Sequence, residues 1–381
     1  MKTLRPLLLS CCAALALPAS AAAPAEVWRG TVGALPVAVQ LNEGEGAEVY
    51  GQYFYFKHLH DLELQGKRDG KGLHLEVRSR DDAVTERWEL REKDGALEGQ
   101  WSAGKRSLPV RLQRVDLTAL RAGRDGERYR RIGDDASAFD ALRVSELSLK
   151  KTKTQQFQGQ RLQWWREPRT GMELFTLESG ADAPARARVN EILNRRLWRS
   201  TVDALGCLSG PNSEFEQTVT PRLLDRRFLS LSLMSSYYCG GAHPDFGDSP
   251  LTIDLRSGRE LALEDVLWLG KGQPPRSAGN GDYDSPGYKR LQEYRESTLV
   301  PWTIKTLTGL HPDDMAKPKD DEGCDYSDPG VWGTSIWYLT PQGLYLGPYF
   351  ARVARACEYP EWSLVPWKLV ERHPGPALSA K

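Results

Sequence analysis

The sequence predicts an α+β protein: an amino-terminal antiparallel β meander or small barrel, followed by a mixed helix and sheet domain. Three observations carry this. Across residues 24–116, short alternating apolar runs return about every 11 residues, separated by turns such as Arg68-Asp69-Gly70 and Lys93-Asp94-Gly95. Further on, a helical stripe is punctuated by Asp182 as cap, Pro184 in the first turn and Gly206 after the end. Finally, the helices and strands beyond residue 138 lack the regular βαβ alternation of a doubly wound fold.

Residues 1–23 read as a secretory signal peptide, with Lys2 and Arg5, an apolar run at 7–17, and small residues at Ala19-Ser20-Ala21. Leu8-Leu9-Ser10-Cys11, with Cys12 beside it, loosely matches a lipidation box. The apolar segment before Cys11 is short for insertion, so soluble export to the periplasm or medium is the reading taken. No later run approaches the roughly 20 apolar residues of a membrane helix.

Lys and Arg number 51, as do Asp and Glu, and loss of Lys2 and Arg5 leaves the mature chain slightly acidic. That balance argues against nucleic acid or an anionic membrane as the main partner. Cys207, Cys239, Cys324 and Cys357 lie beyond the signal. Their wide spacing, without a C-x-x-C knuckle or a nearby His pair, points to two disulfides and away from metal. Three pairings are open; Cys207–Cys239 with Cys324–Cys357 is preferred, because each then staples neighbouring elements.

The amino-terminal module places Val37, Val39 and Leu41 on one parity, then Val49, Gly51, Tyr53 and Tyr55, with Trp88, Leu90 and Trp101 in later runs. About eight strands are expected, close to the number whose barrel holds one small ligand. Residues 117–137 are charge-dense and read as a linker or solvated helix. A companion α+β segment, 138–227, should hold strands near 142–150, 160–165 and 172–178, then the helix whose Val189, Ile192, Leu193 and Leu197 face the sheet.

The carboxyl-terminal domain, 228–372, is organised around 228–266. There two apolar runs flank Cys239-Gly240-Gly241-Ala242-His243-Pro244, and Ser257-Gly258 makes a turn. Leu291, Tyr294, Leu299 and Trp302 have helical spacing, and Pro301 should kink or end that helix near Val300. A polar loop over 311–330 carries Asp313, Asp314, Asp320, Asp321, Glu322, Asp325 and Asp328. Strands return at 335–340, 343–347 and 364–366, and 373–381 should fray.

Tyr237-Tyr238-Cys239-Gly240-Gly241-Ala242-His243-Pro244, then Ile253-Asp254-Leu255 with Ser257-Gly258, then the run from Leu261 to Leu267, resembles a known extracytoplasmic domain. This is the domain of unknown function at the carboxyl ends of RsiV-type lysozyme-sensing anti-sigma factors and PdaC-type peptidoglycan deacetylases. Trp337-Tyr338-Leu339-Thr340-Pro341-Gln342-Gly343-Leu344-Tyr345 and Leu364-Val365-Pro366 echo its closing strands, and 139–205 is similar to its companion domain. The resemblance implies an α+β domain that binds lysozyme in the sensor members, with no catalysis of its own. The anti-sigma role and the deacetylase metal motifs find no counterpart in these residues.

Among individual residues, His243 follows two glycines but has no matched Ser-His-Asp or Cys-His arrangement. His58 and His60, two apart beside Asp61, would share a face if extended, but a zinc site needs more ligands than the pair supplies. Tyr237, Tyr238, Trp332 and Trp337 are candidate aromatic binding positions, with Gly240 and Gly241 in the loop. Asp320, Asp321 and Glu322 would steer a basic partner, and their spacing does not match an EF-hand.

The expected function is a non-enzymatic envelope protein that binds a lysozyme-like protein or a cell-wall glycan through its carboxyl-terminal domain. No cofactor or metal is expected. Two alternatives are a small-ligand carrier using the β module and a hydrolase with an unrecognised site near His243.

Overall fold

The computed structural model describes residues 25–79, 81–276, 283–319 and 323–379. The expected signal peptide at 1–23, with Cys11 and Cys12, and the acidic triplet Asp320, Asp321 and Glu322 lie outside the described residues. The chain divides into two units. One runs to Lys57 and takes in Leu62–Val115; the other takes in His58–Asp61 and everything from Asp116.

The first unit is a closed eight-stranded barrel in simple sequential order. Its strands are β1 (Glu26–Val32), β2 (Leu35–Glu43), β3 (Glu48–Tyr55), β4 (Leu62–Asp69), β5 (Gly72–Arg78), β6 (Val84–Lys93), β7 (Ala96–Ala103) and β8 (Arg106–Arg114). β8 closes antiparallel onto β1, with Arg114 opposite Trp28. Alternation sends Val37, Val39, Leu41, Trp88 and Leu90 inward, where all are buried.

Tyr53 and Trp88 meet edge to face at 4.9 Å inside the barrel. The Tyr53 hydroxyl and the Trp101 indole N–H both donate to Glu86, at 2.6 and 2.7 Å. Trp28, Leu64, Leu73 and Leu97 are also buried there.

The second unit begins with α1 (Leu117–Ala122), α2 (Gly126–Arg130) and α3 (Ala138–Ser145). The charge-dense segment, expected to be a linker or solvated helix, is thus helical in part, and α1 buries none of its residues. Arg121 donates to the carbonyls of Tyr129, Gly133 and Asp134 at 3.3, 2.6 and 3.2 Å, so this arginine braces backbone instead of facing water. The strand expected near 142–150 is also corrected. Ser137 caps α3 by accepting from the Asp140 N–H at 3.0 Å, and Phe139, Leu142 and Val144 are buried on that helix.

Next, β9 (Lys150–Phe157), β10 (Gln160–Arg166) and β11 (Glu173–Leu177) form a sheet in the order β11-β10-β9. The helix α4 (Ala183–Cys207) opens as its residues dictate, with Asp182 accepting from the Ala185 N–H at 2.8 Å. Its Val189, Leu193 and Leu197 pack on Leu162, Trp164 and Phe175 of the sheet. Cys207 is the last residue of the helix, and Gly206 lies inside it.

β12 (Glu214–Leu224) pairs with β13 (Phe228–Tyr238), which also pairs with β14 (Asp245–Asp248) and β15 (Leu251–Asp254), and β15 pairs with β16 (Arg259–Glu260). The expected division at 227/228 therefore falls inside the β12–β13 hairpin. Leu229, Leu231 and Leu233 share one core with Leu162 and Leu193, so the two segments form a single unit.

After α5 (Leu263–Val266) comes α6 (Pro286–Tyr294), a π-helical turn at Arg295–Leu299, and α7 (Val300–Leu310). Pro301 thus does not end the helix. Widening to a π turn, in which the Val300 N–H reaches the Arg295 carbonyl, gives room for a ring that supplies no N–H of its own.

A last sheet joins β17 (Ile336–Leu339), β18 (Gly343–Gly347) and β19 (Leu364–Pro366). The Leu339 N–H donates to Ser230 Oγ at 2.9 Å, linking this sheet to β13. α8 (Trp367–Val370) and α9 (Pro376–Ser379) follow. The expected frayed end is instead held to residue 379: the Gly375 N–H donates to the Val266 carbonyl at 2.8 Å, and Ala377 is buried.

Candidate functional site

The end of β13 is fixed by a disulfide from Cys239 to Cys207, which ties it to the last turn of α4. Gly240 then adopts φ +86°, a left-handed conformation that glycine takes without a Cβ clash. Gly241 is exposed, and no atom lies within 4 Å of where its Cβ would stand. Ala242, His243 and Pro244 are exposed as well, and the chain returns along β14 with Asp245 opposite Tyr237.

Two arginines from residues 349–359 hold this return strand. Arg352 donates to the Pro244 carbonyl at 2.6 Å and pairs with Asp245 at 3.3 Å. Arg355 donates to Asp245 Oδ1 and to the Phe246 carbonyl, both at 2.5 Å, while its guanidinium lies 4.7 Å from the Phe246 ring centre. It also donates to Glu358 at 3.1 Å; the Glu358 side chain is fully buried and accepts from the Phe350 N–H at 3.0 Å.

Burial works against ionisation of Asp245, yet the Phe246 N–H and the two arginines prevail and hold its carboxyl below the ordinary range. Three residues on, burial dominates and pushes the Asp248 carboxyl up, opposed by bonds from the Ser232 hydroxyl and the Leu233 N–H at 2.6 and 2.8 Å.

The acidic loop is fastened to the same segment. Cys324 is bonded to Cys357, and the Tyr326 hydroxyl donates to the Cys357 carbonyl at 2.8 Å. Tyr326 meets Phe350 and Trp362 edge-on at 5.4 and 5.1 Å, a small aromatic knot beneath the loop. Asp313, Asp314 and Asp328 are exposed. Asp325 and Asp328 also accept local bonds, from Ser327 and the Gly330 N–H.

The sequence-predicted aromatic positions separate. Trp332 is only 1% exposed and donates its indole N–H to the Tyr326 carbonyl at 2.9 Å, so it is a core residue and not a contact surface. Trp337 is half-buried against the same core, and Tyr238 is half-buried at the end of β13. Tyr237 stacks on Phe215 at 5.8 Å.

Sequence reasoning missed Arg352 and Arg355, as well as Tyr349 and Val353, which are 51% and 100% exposed on the segment that holds the loop. The run Tyr349 to Cys357 carries no regular period that would have marked it.

His58 and His60 lie in a turn and not on a strand, exposed on either side of buried Leu59, which has φ +67°. Burial and the neighbouring His58 lower the His60 pKa. Asp61 instead pairs with the buried Arg143 and receives the Ser209 hydroxyl oxygen against its own N–H at 2.6 Å. Among the described residues, no group of three or more His, Cys, Asp or Glu side chains is placed to hold a metal ion. No helix there is long and apolar enough to cross a membrane. The His243 imidazole has no hydrogen-bonded partner among them; what the site offers chemically is an anchored, exposed loop.

No family model matches the chain, and no curated protein matches it. Among solved structures, the crystal structure of a DUF3298-family member from Bacteroides fragilis is similar at 13% identity, over 60% of this chain and 94% of that one, with a TM-score of 0.35.

Proposed function

We propose that this is a non-enzymatic exported envelope protein whose carboxyl-terminal part binds a basic, lysozyme-like protein. One observation carries the reading: the exposed Cys239–Pro244 loop, the exposed Tyr349 and Val353, and the Cys324–Tyr326 end of the acidic loop converge on residues 349–359. They do so through Arg352, Arg355 and Cys357. Anchoring the loop at its base reduces the entropy lost when it binds. Neighbouring carboxylates favour encounter with a cationic partner. The resemblance of the Tyr237 to Pro244 run to the lysozyme-sensing domain supports the same partner class.

The test is binding of the purified chain to lysozyme, with a basic protein that is not a glycan hydrolase as control, at low and moderate salt. Val353→Ala and His243→Ala should each weaken lysozyme binding about tenfold or more, as truncation of contact residues does, with melting unchanged. Equal binding of lysozyme and the control, lost at moderate salt, would reduce the effect to charge alone and remove the proposal. A hydrolytic activity abolished by His243→Ala in a folded protein would put the hydrolase reading in its place.

A further inference from the structure

A second site lies in a cleft of about 520 Å³ bounded by the start of α3, the carboxyl half of α4, β12 and β13. That size falls within the roughly 300–1,000 Å³ of small-ligand sites. The charged residues of its lining are Asp135, Asp140, Arg196, Arg199 and Asp203. Arg199 and Asp135 satisfy each other, both carboxylate oxygens lying 2.6 Å from one guanidinium nitrogen. Asp140 accepts from the Ser137 hydroxyl at 2.7 Å at the head of α3. Arg196 and Asp203 remain, with opposite charges.

Arg196 donates to the Ser249 carbonyl at 2.7 Å, which fixes it at the cleft wall, but no carboxylate stands at ion-pair distance from it among the described residues. Asp203 makes no hydrogen bond or ion pair among them. Seven residues apart on α4, the two share a helix face, about 10 Å from each other along the axis. Burial lowers the Arg196 pKa, although Glu260, Asp203 and Asp248 oppose it; Arg199 adds to the effect. Asp203 is open to solvent, yet the protein around its carboxyl pushes the pKa up, against Arg196 and Arg199 and with the help of Asp140. For both groups the loss of water outweighs their mutual attraction, so each gains from a partner brought in from outside.

We infer that this cleft binds a small zwitterion, an amino acid or short peptide, whose carboxylate meets Arg196 and whose ammonium meets Asp203. A ligand with a carboxylate alone would gain Arg196 but lie beside Asp203 and Asp140, and one with an ammonium alone would face Arg196 and Arg199. Opposite charges on one molecule answer both. Between them the cleft offers the Phe215 ring to a short apolar side chain. Gln217 donates to Ser235 Oγ at 3.1 Å, which leaves its amide oxygen to accept from a ligand N–H. The lining shares no residue with 239–244 or 349–353, where the proposed protein partner makes its contacts.

The experiment is calorimetry on the purified chain with alanine, alanyl-alanine, N-acetyl-alanyl-alanine and alanyl-alanine amide. A zwitterionic probe should bind, and each blocked dipeptide should be about tenfold weaker than alanyl-alanine, the range of a lost charge-assisted bond. Asp203→Asn should weaken alanyl-alanine by a similar factor and leave the acetylated form, which has no ammonium to lose, at its parent affinity. Arg196→Gln should do the same with respect to the amide. Arg196 also braces Ser249, so Asp203→Asn, which breaks no bond among the described residues, is the primary variant and should melt at the parent temperature. Tighter binding of alanine would support a free amino acid as the ligand, and tighter binding of the dipeptide a peptide. Equal binding of the blocked dipeptides, full binding of alanyl-alanine by Asp203→Asn, or no heat with any probe would each overturn the inference.

Discussion

Arg355 reaches across 110 positions of sequence to donate to Asp245 at 2.5 Å, while the same guanidinium neutralises the fully buried Glu358. One side chain thus supports both the His243 loop and the segment that bears Tyr349 and Val353. Arg355→Ala leaves Glu358 buried without its cation, a change that destabilises by about 3 kcal/mol or more. Arg355→Ala combined with Glu358→Gln should recover part of that loss. Urea unfolding of the single and double variants measures the coupling; additive losses would show that the two side chains act independently.

The two loop glycines should respond differently to substitution. Gly240 sits at φ +86°, so Gly240→Ala is expected to destabilise by about 1–2 kcal/mol. Gly241→Ala meets open space and should stay within about 0.5 kcal/mol of the parent. Equal effects in chemical denaturation would contradict the backbone geometry described.

Removing the Cys324–Cys357 bridge frees a separation of 33 residues. Chain entropy gives about 3–4 kcal/mol for a loop of that size. Replacing both cysteines by serine should lower stability by that order and increase proteolysis within the acidic loop. Unaltered cleavage there would mean that the Tyr326 aromatic knot suffices.

On the barrel surface, His74 contacts Glu89 and lies 3.5 Å from Asp69. The bond to Glu89 is the main cause that raises its pKa above 6.5. Because the folded value is the higher one, the pair contributes fully below the ordinary histidine range and fades as pH rises through the raised value. Glu89→Gln should bring the midpoint down in an NMR titration of the imidazole; an unchanged midpoint would remove Glu89 as the cause.

Legibility in the sequence followed the range of the interactions. The barrel announced itself because strand alternation and Asp-Gly turns are written within a dozen residues, and α4 because Asp182 and Pro184 are local signals. Residues 142–150 misled because the spacing of Leu142 and Val144 suits a strand as well as a short helix, and the Ser137 cap settles the matter. The arginine clamp was hidden, since nothing near Arg352 or Arg355 names the strand each reaches. Burial of Trp332 was hidden for the same reason: composition marks an aromatic residue but not the direction it faces.

The π turn at Arg295–Leu299 also sets a rotational phase. A π turn holds one residue more than an α turn, so everything after it is rotated by about 100° relative to an uninterrupted helix. That offset directs Val300, Thr303 and Leu307 of α7 inward, in step with buried Tyr294 and Leu299. Deleting a single residue between 295 and 299 would restore a regular spiral and turn the wrong side of α7 toward the core, although no side chain there had been changed. Length, and not composition alone, is therefore under constraint in this stretch.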